Sequence, residues 1–252
     1  MIFDYLRNKF HRANSFDQNA MDLNTYHLLL NLLLSQKETL NVVIIGANDG
    51  VTSDPKYNFL HRNASRTRLV LIEPQKAVIP YLRANFQFHN DIYIFEGAIG
   101  SKNTLSLYTV KQEFWKKISP AYARGWPHFR AATGISSTEY ENVINWIKRY
   151  YHGPCSPSDM VEELVGPCSE LMTVVRMSGL FALPDVIQID TEGFDDEIIY
   201  SSSISLINPA LILFETDLLS LKRRKRVFQY LVERGYYVSQ LRRDAIAVRT
   251  SR

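Results

Sequence analysis

Four short segments, nearly uninterrupted in apolar residues and rich in valine and isoleucine, each end on a glycine or a carboxylate: 40–46 (LNVVIIG), 68–73 (RLVLIE), 185–190 (DVIQID) and 210–215 (ALILFE). A strand that faces solvent on one side alternates apolar and polar residues. Segments apolar throughout suit strands covered on both faces, as in a parallel sheet. Further strand-like segments lie at 91–99 (DIYIFEGAI), 104–110, 236–241 and 245–249, and helix-like ones at 22–36, 75–88, 195–202 and 218–233. Strands alternating with helices predict an α/β fold, a doubly wound, mostly parallel sheet with right-handed crossovers. Only Arg242, Arg243 and Asp244 separate the last two strands, so an antiparallel hairpin at one edge is expected.

The 252 residues are 46% hydrophobic and carry a net charge of +3, values ordinary for one globular domain and too small in charge to imply nucleic-acid binding. The chain is therefore read as a single domain, 1–252, in which residues 1–36 form a loosely attached arm and a helix. Residues 111–170 break the alternation. They hold all three tryptophans (Trp115, Trp126, Trp146), the pair Tyr150-Tyr151, and His128 and His152. A long aromatic-rich insertion of this kind is expected to be a lid or an acceptor-binding subdomain. No apolar stretch approaches the roughly 20 residues of a membrane span, and no leader is read, so a cytoplasmic location is expected. Cys155 and Cys168 are read as two free thiols, one local bridge being the alternative.

Ligands of open parallel sheets bind beyond the carboxyl ends of the strands, where the strand order reverses. After the first strand comes Gly46-Ala47-Asn48-Asp49-Gly50, a small-residue turn that lets a ligand approach the backbone. The second strand ends at Glu73-Pro74, with Glu73 lying 23 residues after Gly50. That is near the spacing of about 20 at which an acid grips ribose hydroxyls. The fourth long strand ends at Asp190-Thr191-Glu192-Gly193, and the fifth at Glu215. The turn has neither the G-x-G-x-x-G fingerprint nor the Lys-Ser/Thr of a phosphate cradle, and Asp49 would repel a pyrophosphate. An acid there suits a ligand with an ammonium or a sulfonium; Asp49 as a helix cap is the alternative.

In order, VVIIGANDGVTSDP, VLIEPQ, EGAIG, VIQIDTEGFDDEII and ALILFE resemble the FkbM family of S-adenosylmethionine-dependent methyltransferases, over about residues 41–215. The resemblance implies a Rossmann-like class I methyltransferase sheet of seven strands and O-methylation of a hydroxyl on a sugar or secondary metabolite. It places Gly46, Ala47, Asn48, Asp49 and Gly50 around the methionine end of the cofactor and Glu73, followed by Pro74, at the ribose. Gly97, Ala98 and Ile99 would lie against the adenine, and Asp190 and Glu192 beside the transferring methyl. One position departs: many members carry an acid two residues before the first loop glycine, where this chain has Ile44. Asp49, Asn48 or Asp54 is then expected to supply those hydrogen bonds.

An alcohol must lose its proton during methyl transfer, so a base is expected within reach of it. Asp190 leads, because a strand end aims its side chain into the cleft. Glu192 is second, with structural bonding to backbone N–H groups as its alternative role. His128, in the presumed lid, is the third candidate, against a packed or surface role. Ser136-Ser137 could bond a ligand or cap the helix that follows, and the tryptophans could stack on a sugar or fill the insertion's core. Asp190, Glu192 and Glu215 together would suit Mg²⁺, but spacing does not show that they converge, and no metal is assigned. The basic run at 222–226 is read as solvated helix surface. The expected partners are a small-molecule or saccharide acceptor and at most further copies of the chain, with no membrane span and no nucleic acid. Two other readings remain: a nucleotide-sugar or NAD-using enzyme on a similar sheet, and a non-catalytic module of the same fold.

Overall fold

The computed structural model describes residues 23–250; the expected arm at 1–20 lies outside them. The chain starts with helix α1 (Leu23–Ser35) and strand β1 (Leu40–Ile45), followed by α2 (Tyr57–Arg62), β2 (Thr67–Ile72), α3 (Ile79–Asn85) and β3 (Ile92–Phe95). After a central stretch come α6 (Leu171–Ser178), β7 (Val186–Ile189), α7 (Asp195–Ser201), α8 (Ile204–Ile207), β8 (Leu211–Glu215), α9 (Leu221–Glu233), β9 (Tyr236–Leu241) and β10 (Asp244–Arg249). Seven strands form one sheet in the order β3-β2-β1-β7-β8-β10-β9. All neighbours run parallel except β10, which is antiparallel to both β8 and β9 and makes the edge hairpin. The doubly wound α/β sheet with its antiparallel pair thus has the form expected.

Period-two alternation divides each central strand between two cores. Val43, Ile45, Val70, Ile72, Ile187 and Ile189 face the side covered by α6, α7 and α9. Val42, Ile44, Leu69, Leu71 and Val186 face α1, α2 and α3. Each such side chain, fully removed from water, contributes about 1.5–3 kcal/mol before entropy is counted. Apolar residues at every position therefore belong to a sheet with helices on both faces.

Two sequence expectations need correction. The segment 91–99 is not one strand: β3 stops at Phe95, and β4 (Ala98–Ile99) joins a separate three-stranded sheet, order β4-β6-β5, with β5 (Thr104–Val110) and β6 (Val161–Ser169). Gly97 makes the break. A Cβ there would stand 2.6 Å from the Phe95 ring and 2.7 Å from the Pro167 carbonyl oxygen. The helix expected over 75–88 shrinks to α3, Ile79–Asn85, and in the turn before it Glu73 Oε1 accepts the Gln75 N–H.

Residues 111–170 contain α4 (Arg130–Thr133), α5 (Tyr140–Tyr150) and β6. They build a core of their own from Phe114, Trp115, Phe129, Val143, Ile144, Trp146 and Ile147. Trp115 Nε1 donates to the Val110 carbonyl and Trp146 Nε1 to Tyr122 Oη, so these two indoles serve packing. Cys155 and Cys168 are free. Among the described residues no helix is long and apolar enough to cross a membrane.

Candidate active site

The chain leaves β1 outward to β2 and β3, then returns to lay β7 on the other side of β1. The strand order reverses there, and a cleft opens beyond the carboxyl ends of β1, β2 and β7. Its walls include Gly46, Asn48, Glu73, Pro74, Ala98, Ile99, Asp190 and Glu192, all singled out from the sequence. Ile72, Leu105, Leu107, Phe194 and Ile198 supply apolar wall. Ala47, Asp49, Gly50, Asp54, Gly97 and His128 do not line the cleft.

The first turn is held tightly. Gly46 has φ +79°, and its N–H and that of Ala47 both donate to the Ile72 carbonyl at 3.0 Å. A Cβ on Gly46 would lie 1.8 Å from the Asp190 carbonyl oxygen, so β1 and β7 approach closely only because this residue is glycine. Gly50 likewise accommodates the Phe86 ring, 2.4 Å from where its Cβ would be. Asp49 faces its own loop: Oδ1 accepts the Val51 and Thr52 N–H groups, and Oδ2 accepts the Thr52 hydroxyl at 2.6 Å. Asp54 is occupied by Lys56, whose Nζ donates to Oδ2 at 2.6 Å. Lys56 is fully buried; desolvation lowers its pKa, against the opposing pull of Asp54.

Glu73 is buried, with Oε2 accepting the Asn48 N–H at 2.8 Å and Oε1 the Gln75 N–H at 2.9 Å. Burial raises its pKa, and these two bonds oppose the shift. Each carboxylate oxygen retains a second lone-pair direction, so the acid can still accept from a ligand.

The insertion forms the remaining wall. Arg130, Thr133, Gly134, Ser136 and Thr138 line it. Asn48 Nδ2 donates to Thr133 Oγ1 at 3.2 Å, Gln75 Nε2 to the Thr133 carbonyl at 3.0 Å, and Ser136 Oγ to Gln75 Oε1 at 2.9 Å. These bonds latch the strap 130–138 over the first turn. Ser137 Oγ donates to the Glu192 carbonyl and accepts the Glu139 N–H, tying the strap to the β7 loop and to the start of α5. Arg130 Nε lies 3.5 Å from Asp49 Oδ1 and is buried without a hydrogen bond.

His128 is exposed, with its ring at 5.9 Å from that of Phe129. Phe129 enters the insertion's core, and His128, on the turn just before it, stays outside the cleft. The structure thus does not bring together the third candidate base and the other two.

Acidic groups gather on the opposite side. One carboxylate oxygen each from Asp190, Glu192 and Glu215 lies within 4.8 Å of the others. Asp190 reaches the open mouth, yet desolvation by the surrounding protein raises its pKa. Glu192, in a left-handed turn (φ +52°), is raised well above its ordinary value by desolvation and then by Asp190. Glu215 is pushed up to about 10 by burial, then by Asp190 and Glu192. Asp195 sits behind them, bonding the Thr191 hydroxyl and the Glu215 N–H, and burial pushes it up to about 7. The basic run is partly structural: Arg223 Nη2 donates to Asp196 at 2.6 Å and to the Gly193 carbonyl, and Arg224 donates to the Thr216 carbonyl.

Sequence reasoning missed Arg130, Thr133 and Gln75. No motif or period marks them; the only signal was that the insertion had to cover something.

No family model and no curated protein matches the chain. Among solved structures it is similar to the CMeT domain of the citrinin polyketide synthase, at 12% identity over 91% of this chain and 52% of that one, with a TM-score of 0.43. It is also similar to the N-methyltransferase NodS from Bradyrhizobium japonicum WM9 in complex with S-adenosyl-L-homocysteine, at 13% identity, 97% and 95% coverage and a TM-score of 0.39. A third is precorrin-6y C5,15-methyltransferase from Geobacter metallireducens GS-15, at 12% identity, 90% and 77% coverage and a TM-score of 0.38.

Proposed function

We propose that the chain is an S-adenosylmethionine-dependent methyltransferase that methylates a hydroxyl of a saccharide or other small molecule in the cytoplasm. The observation that carries this reading is the cleft at the strand-order reversal, whose lining includes Glu73, Arg130, Asp190 and Glu192. The residues fit the chemistry of that cofactor. Glu73 accepts from ribose hydroxyls, and Ile72, Ala98 and Ile99 give apolar surface for a base. Arg130, whose Nε stands 3.5 Å from Asp49 without a hydrogen bond, suits a carboxylate, and Asp190 and Glu192 suit a cationic centre. When bound, the cofactor supplies an already activated methyl group.

The protein's part is then orientation and proton handling. The strap 130–138 lifts to admit the cofactor and re-latches through Thr133 and Gln75, excluding water. Asp190 orients the acceptor hydroxyl and takes its proton on a carboxylate oxygen. Glu192 is the second candidate for that proton. Holding the acceptor in line contributes several kcal/mol, on the order of what orientation supplies elsewhere.

Isothermal titration with S-adenosylhomocysteine and, separately, with NAD tests the reading. Saturable heat with the first and none with the second supports it. Heat with NAD alone overturns it in favour of the dinucleotide alternative, and none with either in favour of a binding module.

A further inference from the structure

We propose that Asp190, Glu192 and Glu215 form a binding site for one hard divalent cation of the Mg²⁺, Mn²⁺ or Ca²⁺ type. The loop after β7, which carries Asp190 and Glu192, and the end of β8, which carries Glu215, bring one oxygen from each residue within 4.8 Å of the others. Three oxygens spread evenly around one such cation stand about 3.6 Å apart for Mg²⁺ and about 4.2 Å for Ca²⁺. Ligation would therefore draw the three carboxylates together by side-chain rotation, further for Mg²⁺ than for Ca²⁺.

A second observation points to a missing partner. Glu215 is only 7% exposed, and its Oε1 is taken by Arg243 Nη2 at 3.0 Å. Its Oε2 is buried with no hydrogen-bond partner at all. Buried carboxylate oxygens are ordinarily satisfied, and an orphan of this kind calls for a ligand. The side chains of Asp190 and Glu192 form no hydrogen bond or ion pair among the described residues. The cations facing the cluster are Arg130, Lys56 and Arg243. Of these only Arg243 makes an ion pair with a cluster member, from the exposed rim.

Three carboxylates supply the hard oxygen set that such cations prefer, and the open mouth beside Asp190 leaves positions for water or ligand oxygens. Resting on the methyl-transfer reading, a cation here would favour acceptors with two adjacent oxygens, such as a vicinal diol, because both could reach it at once. The cation site itself does not depend on that reading.

Mn²⁺ titrated into the full chain at neutral pH, followed by loss of the free-ion electron paramagnetic resonance signal, tests the proposal. Expected is saturable uptake of about one ion per chain, displaced by excess Mg²⁺ or Ca²⁺, with Glu215→Gln and Glu192→Gln each weakening it about tenfold or more. Asp217→Asn, which removes an Arg243 partner outside the cluster, should leave it unchanged. If either glutamate variant fails to fold by circular dichroism, Asp190→Asn takes its place. Absence of saturable uptake by the wild type, or equal affinity in the folded variants, overturns the proposal. S-adenosylhomocysteine binding without Mn²⁺ uptake removes the cation site and leaves the methyltransferase reading; Mn²⁺ uptake without S-adenosylhomocysteine binding does the reverse.

Discussion

Replacing Gly46 with alanine puts a methyl group where the backbone of β7 already stands. The added Cβ would lie 1.8 Å from the Asp190 carbonyl oxygen and 2.8 Å from its carbon. Carbon and oxygen do not approach closer than about 3.3 Å without cost, so the strand ends must separate by roughly 1.5 Å. The residue also has φ +79°, a conformation that costs an alanine about 1–2 kcal/mol. Overpacking of a filled site adds about 1–3 kcal/mol. Gly46→Ala is therefore expected to lose about 2–5 kcal/mol. Gly235 provides the control: its φ is +83°, but nothing lies within 4 Å of where its Cβ would be. Gly235→Ala should lose only the conformational part, about 1–2 kcal/mol. Urea denaturation of both variants, read as midpoint shifts at constant slope, measures the difference. Equal losses would refute the claim that the turn and the Asp190 backbone are in forced contact.

Glu73→Ala should weaken S-adenosylhomocysteine binding by about 1–3 kcal/mol, the range for hydrogen bonds to a charged group, as read by titration calorimetry. Asp190→Asn should lower turnover far more than cofactor affinity, measured by methyl incorporation into a responsive acceptor; an unchanged rate removes Asp190 as the base. Thr133→Ala breaks the latch to Asn48 and should speed S-adenosylhomocysteine association in stopped flow. His89 should make the fold acid-sensitive. Burial lowers its pKa, and Thr67 Oγ1 already donates to Asn63, so His89 Nε2 donates to Thr67 and Nδ1 is left buried without a partner. The folded state then binds fewer protons than the unfolded one, so the contribution is intact above the ordinary value of 6.5 and is lost as pH falls through it. Thermal melts between pH 7.5 and 5.5 should show this slope, and His89→Gln should flatten it.

The mostly parallel sheet was legible because its central strands, buried on both faces, leave apolar residues at nearly every position, whereas the count of seven strands came from the family resemblance. Glu73, Asp190 and the first turn were legible because a parallel sheet puts its ligands at strand ends. The apolar reading also concealed things. In DIYIFEGAI it ran through Glu96-Gly97, where the chain leaves the main sheet. Strand β6 escaped notice because VEELVGPCS is half exposed along its length and carries Gly166 and Pro167. Asp49 looks like a ligand group in the sequence, yet its carboxylate bonds its own loop. Arg130 and Thr133 lie on a four-residue helix in the insertion, and only tertiary packing brings them to Asn48 and Gln75. The convergence of Glu215 with Asp190 and Glu192 follows from β7 and β8 being neighbours, which is a matter of strand order and not of spacing.

The most direct test is a crystal structure of the chain grown with S-adenosylhomocysteine. The account predicts density in the cleft between β1, β2 and β7, with the ribose at Glu73, the carboxylate at Arg130 and the sulfur beside Asp190. Clear density for the molecule elsewhere on the chain, with none in that cleft, would contradict it.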